Sequence, residues 1–215
     1  MFDLILFDLD GTLTDPKEGI TNCVKYALSH FGIEENDETT LLKFIGPPLY
    51  DSFREIYGLS HDEANLAVEK YRERYSIKGI FENAVLDGAI DILKALKTAE
   101  KITSLATSKP LVFAEKIVKE YGLYKYLDYV IGADLKGGIS YKDEVINEVL
   151  RVIKPEDLSK VVIVGDRKHD ILGAKKCGIS SIGVKCGYAE DNELEASGAD
   201  FVFNNLHEVK DFLLK

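Results

Sequence analysis

The feature that most constrains the fold is a repeated alternation of short apolar runs with segments of helical periodicity. Six runs rich in apolar and β-branched residues are typical of strands: 4–7, 102–106, 129–131, 161–164, 181–184 and 201–203. Between most of them apolar residues recur every three or four positions, as in 90–96 and 145–153, which indicates helices. Apolar strands that alternate with helices predict an α/β fold with a doubly wound parallel sheet, covered on both faces.

The stretch 15–84 breaks this alternation, because it carries helical patterns without a convincing strand between them. Two apolar stripes define the pattern: Ile20, Val24, Ala27, Leu28 and Phe31, then Ala64, Ala67, Val68, Tyr71 and Tyr75. Such stripes indicate helices that pack through one face. We therefore predict a helical domain of residues 15–84, inserted into an α/β core domain of residues 1–14 and 85–215. Asp15 before Pro16 is a plausible helix start, with the acid as cap.

Charge limits the classes of partner. Lys and Arg number 27 against 37 Asp and Glu, which gives a formal net charge of -10. This balance disfavours a broad electrostatic footprint on nucleic acid or on an anionic membrane. A phosphate-bearing partner must therefore be held by a local site. Whether the chain is a monomer or a homodimer stays undetermined.

Cysteine usage and the N-terminus bear on the compartment. Cys23, Cys177 and Cys186 form no CxxC pair, so we expect reduced thiols and no structural zinc site. No basic segment precedes an apolar run at the N-terminus, and no apolar run approaches the ~18 residues of a membrane span. We expect a cytoplasmic protein with no membrane partner.

Residues with reactive side chains follow three of the predicted strands. In open parallel α/β sheets, ligands bind outside the carboxyl ends of the strands. The residues at these positions are Asp8 and Asp10 after the first strand, Thr107, Ser108 and Lys109 after the second, and Asp166 and Asp170 after the fourth. The topology gathers these carboxylates, hydroxyls and cations at one edge of one sheet.

The spacing of Asp8 and Asp10 indicates a metal site. Residues two apart on a strand point the same way, so the two carboxylates repel wherever strand geometry persists. A hard divalent cation relieves that repulsion. The side chain of Asp8, the carbonyl oxygen of Asp10 and the side chain of Asp166 form an oxygen-only set that suits Mg²⁺, which also accepts a phosphate oxygen.

Such a site is suited to phosphoryl chemistry. An aspartate can attack phosphorus to form an acyl phosphate, while a second acid protonates the leaving oxygen and later deprotonates water. Thr107 or Ser108 can donate a hydroxyl to the phosphoryl oxygens, Lys142 can supply charge, and Gly11 permits a tight turn near the ligand. Each element also has a structural explanation. Asp170 can cap a helix, Thr107 and Ser108 can start one, and Lys142 can be an exposed helical lysine.

The ordered motifs DLDGT, Thr-Ser, a later helical lysine and GDRKHD, spanning residues 8–170, resemble the haloacid dehalogenase superfamily. The similarity is to its phosphatase branch, and the helical insertion looks like the small α-helical cap of the phosphoglycolate phosphatase group. The resemblance implies a Rossmann-like core and the following roles: Asp8 nucleophile, Asp10 general acid and base, Thr107 and Lys142 phosphate contacts, Ser108 beside the substrate, Asp166 magnesium ligand and Asp170 in the outer shell. Lys142 precedes Asp143 where many relatives have proline.

The leading hypothesis is a magnesium-dependent phosphatase acting on a small-molecule phosphate ester, similar to phosphoglycolate phosphatase or a nucleotide phosphatase. A phosphosugar mutase that uses the same aspartyl phosphate is the alternative. A dehalogenase needs no metal and no second acid at the position of Asp10, so the sequence argues against that activity. A response-regulator receiver uses similar residues, but its phosphorylated aspartate follows a middle strand and it has no helical insertion.

Overall fold

The computed structural model describes residues 1–135 and 138–215. Its strands are β1 (Leu4–Phe7), β2 (Thr14–Asp15), β3 (Ala84–Val85), β4 (Ile102–Pro110), β5 (Tyr129–Ala133), β6 (Val161–Gly165), β7 (Ser180–Val184) and β8 (Phe201–Phe203). Its helices are α1 (Lys17–Ser29), α2 (Glu38–Leu42), α3 (Leu49–Tyr57), α4 (His61–Tyr75), α5 (Ala89–Thr98), α6 (Leu111–Glu120), α7 (Lys142–Ile153), α8 (Lys168–Cys177), α9 (Glu193–Ala196) and α10 (Leu206–Leu213). Within the described ranges, no helix is both long and apolar enough to span a bilayer.

The sheet has the order β5-β4-β1-β6-β7-β8 across six strands of the described chain. All of its neighbouring strands pair in parallel. Each of the six apolar runs in the sequence forms one of these strands, so the predicted doubly wound α/β fold is confirmed. β1 lies between β4 and β6, and the chain reverses its direction of strand addition there, which is where such sheets bind ligands.

Apolar packing covers both faces of the sheet. Leu4 and Leu6 on β1 belong to a buried cluster with residues of α7 and α8, including Val145 and Ala174. Ile5 and Phe7 are also fully buried, and they point to the opposite face because side chains alternate along a strand. The helix α5 packs against β4 and against α10. The central strand is therefore apolar on both sides until it ends at Phe7.

The chain divides into two compact units. One consists of Met1–Asp15 with Val85–Lys215, and the other is the helical unit Pro16–Ala84. The expected cap at the start of α1 is wrong, because the helix begins at Lys17 after Pro16 and no side chain caps it. The Asp15 carboxylate instead accepts a hydrogen bond from the Tyr188 hydroxyl.

Within the helical unit, two glycines allow a close backbone approach. α1 packs against α4, and the residues after α4 pass over the first turn of α1. A Cβ on Gly19 would lie 2.1 Å from the carbonyl oxygen of Gly79, and a Cβ on Gly79 would lie 2.5 Å from the sulfur of Cys23. The amide of Gly19 donates to the carbonyl of Glu82 at 3.0 Å. Side chains at these positions would separate the two segments.

Gly19→Ala should therefore lower the free energy of unfolding by about 1–3 kcal/mol, as expected for overpacking. The sign is informative, since Gly to Ala inside a helix otherwise stabilises by about 0.5–1 kcal/mol. Urea denaturation followed by circular dichroism measures the change. Lys25→Ala on the exposed side of the same helix is the control, expected within about 0.5 kcal/mol of wild type. A Gly19→Ala variant as stable as wild type would contradict the close approach.

Candidate active site

The carboxyl ends of β1, β4 and β6 bring the reactive side chains of the core unit together. Phe7, the last residue of β1, pairs with Leu105 on β4 and with Val164 on β6, so the residues that follow these positions meet at one edge of the sheet. The amide of Asp8 donates to the carbonyl of Val164 at 2.9 Å. This bond fixes the backbone at the position where the first acid leaves the strand.

A cluster of three buried carboxylates forms at this edge. Asp8, Asp166 and Asp170 each offer an oxygen, and these oxygens lie within 4.8 Å of one another. Asp8 is 6% exposed, Asp166 0% and Asp170 1%. Three buried negative charges at this separation repel strongly, because little water screens them.

Lys142 carries the positive charge that contacts the cluster. Its ammonium lies 2.8 Å from Oδ1 of Asp8 and 2.9 Å from Oδ1 of Asp170, and it donates to the carbonyl of Ala106 at 2.9 Å. Burial alone would lower the pKa of Lys142, but the attraction of Asp170 and Asp8 outweighs burial and raises this pKa. The lysine at the first position of α7 is therefore a buried cation and not an exposed helical lysine.

Asp166 is held by two donors from other segments. The hydroxyl of Thr12 donates to its Oδ1 at 3.1 Å, and the amide of Tyr188 donates to its Oδ2 at 2.7 Å. Burial, reinforced by the charges of Asp170 and Asp8, raises the pKa of Asp166 well above its usual range. These bonds fix the carboxylate at the end of β6, while the excess negative charge around it remains to be offset.

Asp170 caps α8 and also pairs with Lys142. As a residue of the first turn of α8, it accepts from the amide of Arg167 at 3.1 Å through Oδ2, so it caps the helix. Its other oxygen pairs with Lys142. Burial raises its pKa to about 6, against the attraction of Lys142.

Glycines provide the space for the acids. Gly11 adopts φ +81°, and a Cβ there would lie 2.2 Å from Oδ2 of Asp166. A Cβ on Gly187 would lie 2.1 Å from the same oxygen, and one on Gly165 would lie 2.1 Å from Cγ of Asp170. Three segments therefore approach the carboxylates more closely than any side chain permits.

The side chain of Asp10 lies in a different environment from that of Asp8. Its Oδ2 lies 2.5 Å from the ammonium of Lys109, and both side chains are nearly buried. Burial raises the pKa of Asp10, and the charge of Lys109 opposes that rise. The carboxylate of Asp10 is thus paired with a lysine of its own, apart from the three-acid cluster.

β4 supplies Thr107 and Ser108, the two residues that precede Lys109. Thr107 is 2% exposed, and its hydroxyl accepts from the amide of Lys109 at 3.2 Å; Ser108 is half-buried. β4 continues to Pro110, and α6 begins only at Leu111. These hydroxyl residues therefore lie on the strand and do not start the helix.

Sequence reasoning placed Lys109 at the same edge as Thr107 and Ser108 but gave it no role, and it did not single out Gly187 or Tyr188. Gly187 and Tyr188 follow β7 closely, and the rule that ligands collect at strand ends applies to that strand as well. The amide of Tyr188 bonds to Asp166 across 22 positions of the sequence, so spacing alone did not reveal this contact.

The donor set fits a hard divalent cation. All the clustered atoms of Asp8, Asp166 and Asp170 are carboxylate oxygens, and the cluster contains no imidazole or thiolate. Oxygen ligands favour Mg²⁺, Ca²⁺ or Mn²⁺ over zinc. The three negative charges exceed the single charge of Lys142, so a cation at this edge would offset the repulsion.

The comparisons with known proteins identify the class. The family model of haloacid dehalogenase-like hydrolases matches residues 5–184, which include every motif of the site. The chain therefore belongs to the haloacid dehalogenase-like hydrolase family, as the sequence motifs predicted.

Individual relatives place the chain among the phosphatases of that family. It is 43% identical over 194 residues to the "5'-nucleotidase" of Pseudomonas aeruginosa, covering 89% of this chain and 86% of the relative. It is 28% identical to the "Phosphoglycolate phosphatase" of Vibrio parahaemolyticus, over 96% and 93% of the two chains. The crystal structure of a "predicted phosphatase" from Clostridium acetobutylicum superposes with TM-score 0.96 at 39% identity, over 100% of this chain and 99% of that one.

The space left by Gly187 yields a prediction. Gly187→Ala should lower kcat/KM by about a hundredfold, since a displacement of about 1 Å at a reacting group costs that much. The cause is the displacement of Asp166, one of the three acids of the buried cluster. Phosphate-release assays measure kcat/KM.

The matched control is Gly183→Ala on β7, where a Cβ would press on the side chain of Leu194 at 3.0 Å. It should lower the melting temperature and leave kcat/KM of the folded enzyme near the wild-type value. Wild-type kcat/KM in Gly187→Ala would refute the steric argument.

Proposed function

We propose that the protein is a magnesium-dependent phosphatase that hydrolyses a small-molecule phosphomonoester through an aspartyl phosphate on Asp8. The observation that carries this proposal is the buried cluster of Asp8, Asp166 and Asp170 around Lys142 at the carboxyl edge of the sheet. Such a cluster would bring together a carboxylate nucleophile, a basic side chain and the carboxylate oxygens that bind a cation. These are the components that phosphoryl transfer requires.

Asp8 is the proposed nucleophile. The hydrogen bond from its amide to the carbonyl of Val164 fixes its backbone, and the ammonium of Lys142 lies 2.8 Å from its Oδ1. A carboxylate oxygen of Asp8 attacks phosphorus, and the bond from phosphorus to the ester oxygen breaks. Water then attacks the acyl phosphate, which releases inorganic phosphate and regenerates the Asp8 carboxylate. One difficult displacement is thereby divided into two easier ones.

Asp10 is the proposed general acid and base. In the first step it gives its proton to the departing ester oxygen, so that an alcohol leaves in place of an alkoxide. In the second step its carboxylate takes a proton from the attacking water. Its location in the loop after β1, with a lysine partner separate from that of Asp8, supports the division of roles.

The proposed phosphate contacts come from β4 and α7. The hydroxyls of Thr107 and Ser108 and the ammonium of Lys142 would stabilise charge on the phosphoryl oxygens. We propose that Gly11 shapes the loop after β1 and does not bind the phosphate through its amide, because this amide donates to the carbonyl of Thr14 at 2.7 Å. Its contribution is the close approach to Asp166 that a larger residue would block.

The proposed metal ligands are Asp8, the backbone carbonyl of Asp10 and Asp166, with Asp170 in the outer shell beside Lys142. When bound, Mg²⁺ would offset negative charge on the phosphoryl group and the acids. Thr12 and Tyr188 orient Asp166 for this purpose through the bonds to its two oxygens.

The proposed substrate class is the nucleoside 5'-monophosphates, because the relative at 43% identity is named for that activity. Phosphoglycolate is the second candidate, supported by a relative at 28% identity. A phosphosugar mutase is not favoured, since these relatives are named as hydrolases. We propose that the helical unit Pro16–Ala84 acts as the substrate-selecting cap.

Asp8→Asn should abolish hydrolysis of para-nitrophenyl phosphate, because an amide cannot form the acyl phosphate. Wild-type activity should require Mg²⁺ and disappear on chelation. Mass spectrometry of acid-quenched wild-type enzyme should locate a phosphate on Asp8. Asp3→Asn, an exposed acid before the same strand, is the control and should keep its activity. Turnover by Asp8→Asn, or full activity without divalent metal, would refute the mechanism.

A substrate panel tests the assignment of substrate class. We expect kcat/KM for nucleoside 5'-monophosphates to exceed that for phosphoglycolate and for sugar phosphates by about tenfold or more, a difference of about 1.4 kcal/mol in transition-state binding. Each turnover should release one inorganic phosphate, whereas a mutase would return the group to its substrate. A preference for phosphoglycolate would select the second candidate.

A further inference from the structure

Lys109 contacts one of the proposed catalytic acids, although the residues assigned so far do not include it. Its ammonium lies 2.5 Å from Oδ2 of Asp10, with the two side chains only 6% and 12% exposed. A lysine at this burial is unusual unless it is paired. The contact therefore places a fixed positive charge on the residue to which the proposed function gives the proton transfers.

The backbone of β4 is shaped to deliver this side chain. The pairing of β4 with β5 shifts register between Thr107 and Pro110, and such irregularities redirect side chains at the ends of strands. The hydroxyl of Thr107 accepts from the amide of Lys109 at 3.2 Å. On β5, a Cβ at Gly132 would lie 2.7 Å from the carbonyl oxygen of Lys109. A side-chain bond and a glycine therefore secure the conformation of Lys109.

The contact uses only one oxygen of the acid. Oδ1 of Asp10 is buried and has no hydrogen-bond partner within the ranges 1–135 and 138–215. A buried carboxylate oxygen without a partner is costly in a resting structure. A general acid needs one carboxyl oxygen that is not bonded to the protein, so that this oxygen can exchange a proton with the substrate.

The two buried lysines of the site are divided between the two acids of the first motif. Lys142 contacts Asp8 and Asp170, whereas Lys109 contacts Asp10. We infer that Lys109 is a positioning residue: its ammonium holds Oδ2 of Asp10 and directs Oδ1 toward the ester oxygen of the substrate. The inference rests on the proposed function, because it presupposes that Asp10 protonates the leaving group.

The test uses leaving groups of graded basicity on substrates of similar size: para-nitrophenyl, para-chlorophenyl and phenyl phosphate. Protonation matters little when the leaving group is stable as an anion, and matters increasingly as its basicity rises. The parameter is kcat/KM, which reports the steps up to departure of the leaving group. The variants are Lys109→Met, Lys109→Arg and Asp10→Asn.

Lys109→Met should lose about a hundredfold in kcat/KM on phenyl phosphate, at the lower end of the usual general-acid contribution. The loss on para-nitrophenyl phosphate should be less than about fivefold, and KM should change little on either substrate. Lys109→Arg should restore part of the loss on phenyl phosphate, because a guanidinium can also hold a carboxylate oxygen. Asp10→Asn should show the same dependence on leaving group, more steeply.

Lys101→Met is the matched control. Lys101 precedes the same strand, is 12% exposed and pairs with Asp3 at 3.0 Å, at the opposite end of β1 and β4. The Lys101→Met variant removes a lysine–aspartate pair at the start of these two strands and leaves the site residues unchanged. Its kcat/KM should match that of wild type on every substrate.

Other outcomes would overturn the inference. Equal losses on all three substrates, with a raised KM, would make Lys109 a substrate-binding residue. Equal losses with unchanged KM that Lys109→Arg does not restore would make it merely structural. If Asp10→Asn shows the leaving-group dependence and Lys109→Met does not, the inference fails and the proposed function stands. If Asp10→Asn shows no dependence, the acid role fails first and the inference fails with it.

Discussion

The arrangement of the core unit depends on the repulsion among Asp8, Asp166 and Asp170. Three carboxylates whose oxygens lie within 4.8 Å of one another cannot remain charged in a buried site without compensation. The chain supplies part of it through Lys142, which contacts two of the three acids. Glycines admit the acids so closely that a methyl group would collide with a carboxylate. Backbone space and charge balance are therefore joint requirements at this edge.

The sequence predicted the parts of the structure that depend on periodicity and on strand ends. Runs such as 161–164 are apolar on both sides, which is a strong signal for a central strand. Once the strands were assigned, the rule that ligands collect at their carboxyl ends located Asp8, Thr107 and Asp166 without any knowledge of side-chain contacts. The physical reason is that parallel strands deliver their ends to one edge whatever their separation along the chain.

The sequence could not predict contacts that depend on local irregularity or on distant residues. Lys109 contacts Asp10 from the segment of β4 that shifts register against β5, and no hydropathy pattern contains that shift. Asp15 resembled a helix cap, yet its carboxylate accepts from Tyr188, 173 positions away. Capping depends on local geometry, and a tertiary hydrogen bond outweighed it here. The Asp-Pro sequence is therefore typical of a helix start, but here Asp15 does not cap the helix.

The separate environments of Asp8 and Asp10 explain how two acids two positions apart can have different roles. Asp8 follows the last residue of β1, and the hydrogen bond from its amide to the carbonyl of Val164 continues the pairing with β6. Beyond it the loop turns at Gly11, whose positive φ ends the strand direction. Each acid then faces its own lysine, Lys142 for Asp8 and Lys109 for Asp10. A strand end followed by a glycine turn thus gives the two carboxylates different charged partners, and the proposed roles of nucleophile and acid–base catalyst require such a difference.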